Sequence, residues 1–220
     1  MTSHALVWGL GKSGFASAKL LHQSGWRVTV IDRNGNGDIT DRQLFLQSLG
    51  IAVHLETDLT QDTIQELNPQ IAIVSPGIAW DHPLLLWARD RGIQTLGEVE
   101  LAWQYLHNVP WVGITGTNGK TTTTALIGAI FGQAGYHAPC CGNIGLPVCD
   151  VVPLAPDWVI AELSSYQIES APSVRPQIGV WTTFTPDHLS RHGTIERYAE
   201  IKASLLHQSQ YQVLNGDDRY

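Results

Sequence analysis

Two glycine-rich segments carry residue types that bind phosphate groups. The first, residues 9–14, reads Gly-Leu-Gly-Lys-Ser-Gly and fits G-x-G-x-x-G, and Asp32 ends the next apolar run, 18 residues beyond Gly14. Glycines in such a loop allow a tight turn and a close approach of the backbone to a ligand, and an acid at this distance often binds a ribose hydroxyl. The segment therefore indicates a nucleotide or dinucleotide site, unless its glycines serve only the packing of a βα turn.

The second segment, residues 116–121, reads Gly-Thr-Asn-Gly-Lys-Thr. Its backbone amides could cradle phosphates, Lys120 could reach a terminal phosphate and the Thr121 hydroxyl could ligate Mg²⁺. The strict P-loop pattern requires glycine at position 114, where this chain has Ile114, so the segment is a P-loop variant. A nicotinamide-dependent oxidoreductase would use the first segment but has no use for the second.

The elements around both segments are short apolar runs that alternate with helical patterns. In the first half we predict strands at 5–8, 27–31, 51–53 and 71–74, and helices at 15–23, 41–49, 61–67 and 83–91. After Pro110 we predict strands at 111–115, 158–161, 178–181 and 211–214, and helices at 120–134 and 195–207. This alternation predicts parallel sheets with helical crossovers, hence an α/β fold whose N-terminal domain is Rossmann-like. We place the domains at 1–97 and 98–220, because a helix over 98–106 ends at an Asn-Val-Pro breaker.

Composition excludes several classes of protein. The chain has 220 residues, 43% of them hydrophobic and 15% charged, with a net charge of −7. It is therefore not a highly charged disordered chain, a collagen or a coiled coil, and we expect no nucleic-acid partner that needs a broad basic surface. The cysteines, Cys140, Cys141 and Cys149, suggest reduced thiols rather than a disulfide framework or a zinc ribbon. Without a signal-peptide pattern or an apolar run near 18 residues, we expect a cytoplasmic protein with no membrane insertion.

Five short motifs, collinear over the second half of the chain, resemble the Mur ligases of peptidoglycan synthesis. Residues 116–122 are similar to the ATP loop of that family. Four further segments resemble its later motifs: 142–147, 162–169, 185–189 with Lys202 beyond it, and 215–218. The second domain is then the first part of a P-loop-type Mur ligase central domain. The segments 75–78 and 162–167 most resemble the members that join D-glutamate to UDP-N-acetylmuramoyl-L-alanine.

The resemblance implies ATP-dependent amide formation through an acyl phosphate, with Mg²⁺ at two sites. It implies the catalytic residues Lys120, Glu162, His188 and Lys202, and the metal ligands Thr121, Glu162, His188 and Lys202. For Lys202 it implies carbamylation by CO₂, which would turn an ammonium into an anionic oxygen ligand. The ATP-binding residues it implies are Gly116, Thr117, Asn118, Gly119, Lys120, Thr121 and Thr122.

Substrate residues are carried over in the same way. Around the UDP part the resemblance places Gly11, Lys12, Ser13, Asp32 and Arg33, with Ser75, Pro76 and Gly77 at another edge. For the muramoyl-alanine part it implies Asn143, Ser164, Gln167 and His188. The expected partners are small-molecule substrates only, and we expect a monomer.

Two features keep other interpretations open. The family has a third domain, whereas this chain ends at Tyr220 with about four strands of the central domain, so we expect a C-terminally truncated chain that is inactive alone. The first glycine loop is closer to a dinucleotide fingerprint than UDP binding requires, which leaves a nicotinamide-dependent oxidoreductase as an alternative. A non-catalytic nucleotide-binding module is the other alternative.

Overall fold

The structure is a computed structural model that describes residues 3–35 and 37–218. The chain divides into two compact units, Met1–Leu101 and Ala102–Tyr220. Each unit is built around its own parallel sheet.

The first unit has five parallel strands in the order β3-β2-β1-β4-β5. The strands are β1 His4–Trp8, β2 Arg27–Ile31, β3 Ala52–His54, β4 Ile71–Val74 and β5 Gln94–Gly97, and the helices between them are α1 Lys12–Gln23, α2 Asp38–Ser48, α3 Gln61–Leu67 and α4 Pro83–Arg89. The central strands β1 and β4 are apolar because helices cover both faces of a parallel sheet. The chain leaves β1 and β4 toward opposite sides of the sheet, and this switch in strand order opens a crevice at their carboxyl ends.

The second unit also has five parallel strands, in the order β10-β9-β6-β8-β7. Its elements are α5 Glu98–Leu106, β6 Trp111–Thr115, α6 Lys120–Gln133, β7 Cys140–Gly142, β8 Val159–Glu162, α7 Ser165–Glu169, β9 Ile178–Trp181, α8 Leu189–His192, α9 Ile195–His207 and β10 Tyr211–Leu214, with two 3-10 helices at Val148–Asp150 and Val152–Leu154. Helix α5 contains the division between the units. Val112, Ile114, Ile160 and Val180 form a buried core cluster of the sheet.

The predicted α/β class with two parallel-sheet units is confirmed, while several elements differ from their prediction. Helix α1 begins at Lys12 rather than at residue 15, and the second sheet has five strands rather than about four. Four elements were not predicted: β5, β7, α7 and α8. Strand β7 is only three residues long, and α7 and α8 have five and four residues, too few to show a helical period. The domain boundary at residue 97 remains a prediction.

Candidate functional site

The first candidate site is a cleft of about 680 Å³ at the carboxyl ends of the first sheet. All eight residues predicted around the UDP part line it: Gly11, Lys12, Ser13, Asp32, Arg33, Ser75, Pro76 and Gly77. The cleft is also lined by Trp8, Asn34, Asp58, Leu59 and His82, which the sequence analysis did not single out. The topology brings the loops after β1, β2 and β4 together here.

The three glycines of the first loop have different roles. A Cβ on Gly14 would lie 1.9 Å from the carbonyl oxygen of Gly9, and Gly9 itself has φ +100° with Ser75 Oγ 2.5 Å from its Cβ position. These two glycines let the helix and the β4 loop pack closely. Around Gly11, by contrast, no described atom other than those of the residue itself and its two chain neighbours lies within 4 Å of the Cβ position. Gly11 therefore faces open space in the cleft.

The buried side chain of Asp32 forms hydrogen bonds that hold the first loop in place. The side chain is 7% exposed, its Oδ2 accepts from the Leu10 amide at 2.6 Å, and its Oδ1 accepts from the Asn34 amide at 2.7 Å. Arg42 of α2 donates to the Leu10 carbonyl at 3.1 Å, so the loop is held from two directions. Both carboxylate oxygens of Asp32 thus already serve the fold, although the residue borders the cleft.

The cleft has a positive rim. Helix α1 starts after Gly11, and none of the described side chains accepts a hydrogen bond from its first amides. Lys12 and Arg33 are exposed beside it. Free amides at a helix start, together with the helix dipole, attract anions. The arrangement suits a ligand with a diphosphate group.

The second candidate site surrounds the loop after β6. Gly116 has φ +143°, and a Cβ there would lie 2.0 Å from Thr182 Oγ1. The Thr117 hydroxyl donates to the Thr185 carbonyl at 3.0 Å, and the Thr117 amide donates to the Thr183 carbonyl at 2.6 Å. The segment after β9 therefore fixes the shape of the phosphate loop.

A carboxylate lies directly beside this loop, at the end of the neighbouring strand β8. Glu162 is 1% exposed, and its Oε2 accepts from the Thr121 hydroxyl at 2.9 Å. Its Oε1 accepts from Asn143 Nδ2 at 2.8 Å. Three residues predicted from separate motifs thus meet in one polar cluster.

Two lysines converge on one carbonyl oxygen of the loop. Lys120 Nζ donates to the Gly116 carbonyl at 3.0 Å, and Lys202 Nζ donates to the same oxygen at 2.8 Å. Lys202 is 2% exposed, and burial, reinforced by the charge of Lys120, lowers its pKa to about 7, against the opposing effect of Asp187 and Glu162. Near neutral pH a large share of Lys202 is therefore the uncharged amine.

His188 follows the same sheet edge but stands apart from this cluster. It has φ +53°, its Nδ1 lies 3.1 Å from Tyr166 Oη, and its Nε2 lies 3.5 Å from Asp187 Oδ2. Among the described residues, His188 has no hydrogen bond to Thr121, Glu162 or Lys202. The predicted metal set is therefore brought to one edge of the sheet without mutual contact of all its members.

Two predicted substrate residues form a helix cap. Ser164 Oγ accepts from the Gln167 amide at 3.3 Å, and Gln167 Oε1 accepts from the Ser164 amide at 3.1 Å, a capping box that starts α7. The pattern S-x-x-Q is the sequence signal for such a box. In the described ranges no three His, Cys, Asp or Glu side chains converge as metal ligands, so the predicted set depends on Thr121 and Lys202.

A buried histidine beside the phosphate loop was not predicted. His192 Nε2 lies 2.9 Å from Ser165 Oγ, and its ring stacks on Tyr198 at 5.6 Å and 22°. Tyr198 Oη lies 3.3 Å from Thr117 Oγ1, so the stack reaches the loop. Burial, with the charge of Arg191, lowers the pKa of His192. No signal beyond the spacing of four residues from His188 pointed to it.

Comparisons with known proteins agree with this architecture. The family model "Mur ligase middle domain" matches residues 114–220, and the model "Mur ligase MurD-like, N-terminal domain" matches residues 3–97. The chain belongs to the Mur ligase family, whose members are ATP-dependent ligases of peptidoglycan synthesis. This membership favours the ligase interpretation over the oxidoreductase alternative.

The curated relatives name a particular ligase. The chain is 57% identical over 216 residues to UDP-N-acetylmuramoylalanine--D-glutamate ligase of Synechocystis sp., with 97% of this chain and 47% of the relative covered. It is 56% identical over 220 residues to the enzyme of the same name from Trichormus variabilis, with 99% and 48% covered. The chain spans about half the length of the curated relatives it matches.

Solved structures share the fold. A UDP-N-acetylmuramate:L-alanyl-gamma-D-glutamyl-meso-diaminopimelate ligase from Neisseria meningitides has a TM-score of 0.66 at 16% identity, covering 100% of this chain and 73% of that one. UDP-N-acetylmuramate-alanine ligase from Thermotoga maritima has a TM-score of 0.59 at 20% identity, covering 99% and 50%. Over the described residues, every helix is too short or too polar to cross a membrane.

Proposed function

We propose that this chain carries the UDP-substrate site and the phosphate loop of an ATP-dependent ligase that joins D-glutamate to UDP-N-acetylmuramoyl-L-alanine. The observation that carries the proposal is the meeting of Thr121, Glu162 and Asn143 beside a loop on which Lys120 and Lys202 converge. The relatives that match almost the whole chain bear the name of that activity.

Thr121 and Glu162 would hold one Mg²⁺. Hydroxyl and carboxylate oxygens are the donors that Mg²⁺ prefers, and the two side chains already lie within 2.9 Å of each other. When bound, the ion would offset the repulsion between the triphosphate and the substrate carboxylate. For a second Mg²⁺ we propose His188 and carbamylated Lys202.

Carbamylation suits the environment of Lys202. With its pKa near 7, the neutral amine can attack the carbon of CO₂, forming an N–C bond and releasing one proton to water. The product is an anion. The charge repulsion between Lys202 and Lys120, which donate to the same carbonyl oxygen, is therefore replaced by an attraction between the carbamate and Lys120. Among the described residues Lys202 forms no salt bridge, so carbamylation would break none.

The phosphate loop performs a positioning role in the reaction. The substrate carboxylate attacks the γ-phosphorus of ATP, ADP leaves, and an acyl phosphate forms. The amine of D-glutamate then attacks the acyl carbon, phosphate leaves, and the amine loses a proton as the amide forms. Lys120 clamps the terminal phosphate. The loop amides stabilise the charge on the transferring phosphoryl group, with Asn118 and Thr122 at the rim of the loop.

The cleft of the first unit would bind the UDP part. Its positive rim at Lys12 and Arg33 and the free helix start after Gly11 suit the diphosphate. Asn143, Ser164 and Gln167 would border the muramoyl-alanine part, the last two chiefly through the helix that they cap. We further propose a monomer. We also propose a cytoplasmic location, because all three cysteines are free thiols and that compartment keeps thiols reduced.

Isothermal titration of this chain tests the proposal. We expect UDP-N-acetylmuramoyl-L-alanine to bind, and Lys120→Ala to leave its affinity unchanged while weakening ATP–Mg²⁺. A folded chain that does not bind the UDP substrate but binds NADH would overturn the proposal in favour of an oxidoreductase. ADP release in the presence of D-glutamate tests whether the 220 residues suffice for turnover.

A further inference from the structure

One imidazole borders the cleft of the first unit and has no part in the predicted site. His82 is the N-cap of α4, where its Nδ1 accepts from the Leu84 amide at 3.2 Å. Because Nδ1 accepts, the neutral ring carries its proton on Nε2. Within the part of the chain that the structure describes, Nε2 has no hydrogen-bond partner. The ring therefore offers an uncommitted N–H donor beside the cleft.

Trp8 fixes the orientation of this ring. The two rings meet edge to face, with centroids 5.0 Å apart and planes at 89°. Trp8 ends β1 and packs against the core cluster that includes Leu6 and Leu84, so the indole is itself held in place. With the cap bond on one side and the indole on the other, the donor is preorganised before a ligand arrives.

The strand order indicates which part of a ligand His82 meets. The strands end across the cleft in the order β2, β1, β4. The acid after the second strand is the usual ribose position, and the helix start after the first strand is the usual diphosphate position. The β4 side, where Ser75–Gly77 and His82 lie, is left for the group attached beyond the nucleoside.

We propose that His82 is a substrate-binding residue that donates from Nε2 to an acceptor oxygen of the diphosphate or of the sugar linked to it. The inference rests on the proposed function, because it takes the ligand to be a UDP-linked sugar. Both the diphosphate and the sugar carry an oxygen that can accept this hydrogen bond, and both lie outside the uridine. The ligands chosen for the test distinguish the diphosphate from the sugar.

Isothermal titration of the whole chain with uridine, UDP and UDP-N-acetylglucosamine provides the test. His82→Asn removes Nε2 and keeps a residue that caps helices well. We expect this variant to bind uridine as the wild type does, and to lose about tenfold in affinity where the acceptor is present, as for a hydrogen bond to a charged or polar partner. A loss already seen with UDP places the acceptor on the diphosphate, and a loss confined to UDP-N-acetylglucosamine places it on the sugar.

Thr60→Ala is the matched control. Thr60 caps α3, which has seven residues like α4, and it is not among the described residues that line the cleft. It should lower stability and leave all three affinities unchanged. If His82→Asn does not fold by circular dichroism, His82→Asp retains the cap and is expected to lose at least as much affinity.

Two results would overturn the inference alone: unchanged affinities in the His82 variants, or an equal loss with uridine. A folded wild-type chain that binds none of the three ligands would overturn the proposed function together with it.

Discussion

The two glycine loops each join a parallel strand to a helix in the same way, but the charged residues around them differ. In the part of the chain that the structure describes, no side chain caps α1 or α6, whereas Thr60, Ser164 and Thr194 cap α3, α7 and α9. Uncapped helix starts leave amides available for an anion, so both loops retain the same backbone device.

Around the first loop the cations are exposed, whereas around the second they are largely withdrawn from water. Lys12 and Arg33 stand at the cleft rim, while Lys202 is 2% exposed and shares a carbonyl oxygen with Lys120 beside the buried Glu162. Exposed cations attract and orient a ligand, whereas buried ones change their pKa and can take part in chemistry. In the proposed function, binding therefore belongs to the first loop and group transfer to the second.

The largest effect is expected where a glycine of the first loop is needed for packing. Gly14→Ala would place a Cβ 1.9 Å from the Gly9 carbonyl oxygen, a backbone atom that cannot turn away. We expect a loss of about 3 kcal/mol in the free energy of unfolding, measured with urea. Gly11→Ser is the control and should lie close to the wild type, because a Cβ at this N-cap has open space and serine caps a helix about as well as glycine. Wild-type stability of Gly14→Ala would show that the loop relaxes and that its glycines are not steric.

The second prediction concerns the buried lysine of the second loop. The folded-state pKa of Lys202 is about 7 against 10.5 for the ordinary lysine, so between these values the unfolded chain binds more protons and stability rises with pH. We expect the free energy of unfolding of the wild type to gain about 2 kcal/mol from pH 7 to 9 relative to Lys202→Met, in buffer free of bicarbonate. Parallel pH profiles for the two proteins would refute a depressed pKa.

The sequence predicted both loops because their signals are local. Each is a short glycine pattern that follows an apolar run long enough to mark a strand, at 5–8 and at 111–115. The neighbours that give each loop its chemistry are distant in the chain. Lys202 is 86 residues from Gly116, so their contact could be expected from the family resemblance but not from spacing.

Residues whose polar groups serve the fold were the hardest to interpret. Asp32 and Gln167 were predicted to bind substrate, and the structure shows their side-chain oxygens in hydrogen bonds to backbone amides. The S-x-x-Q pattern of the capping box was present in the sequence and could have been used. His192 carried no comparable signal, because packing between separate elements places it.

The third prediction compares the backbone at the two helix starts. Gly119 has φ +82°, a region that side chains other than glycine rarely adopt, whereas Gly11 has φ −66°. Gly119→Ala should therefore cost about 1.5 kcal/mol of stability, close to the strain of a left-handed residue. Gly11→Ala provides the reference, with chemical denaturation as the measurement. Equal stability of the two variants would mean that the second loop tolerates another backbone conformation.

The smallest change in stability and the most specific change in binding are expected from a serine at Gly11. The extended backbone of Gly11 suits an N-cap, and a Cβ there has no neighbour within 4 Å among the described residues. Gly11→Ser should alter the free energy of unfolding by less than about 0.5 kcal/mol, because serine and glycine differ little as caps. Its hydroxyl would compete with the ligand for the first helix amides, so we expect UDP to bind roughly tenfold more weakly by titration. Unchanged UDP affinity would show that the uncapped start of α1 is not the anion site. The two loops would then share their backbone shape but not a role in binding anions.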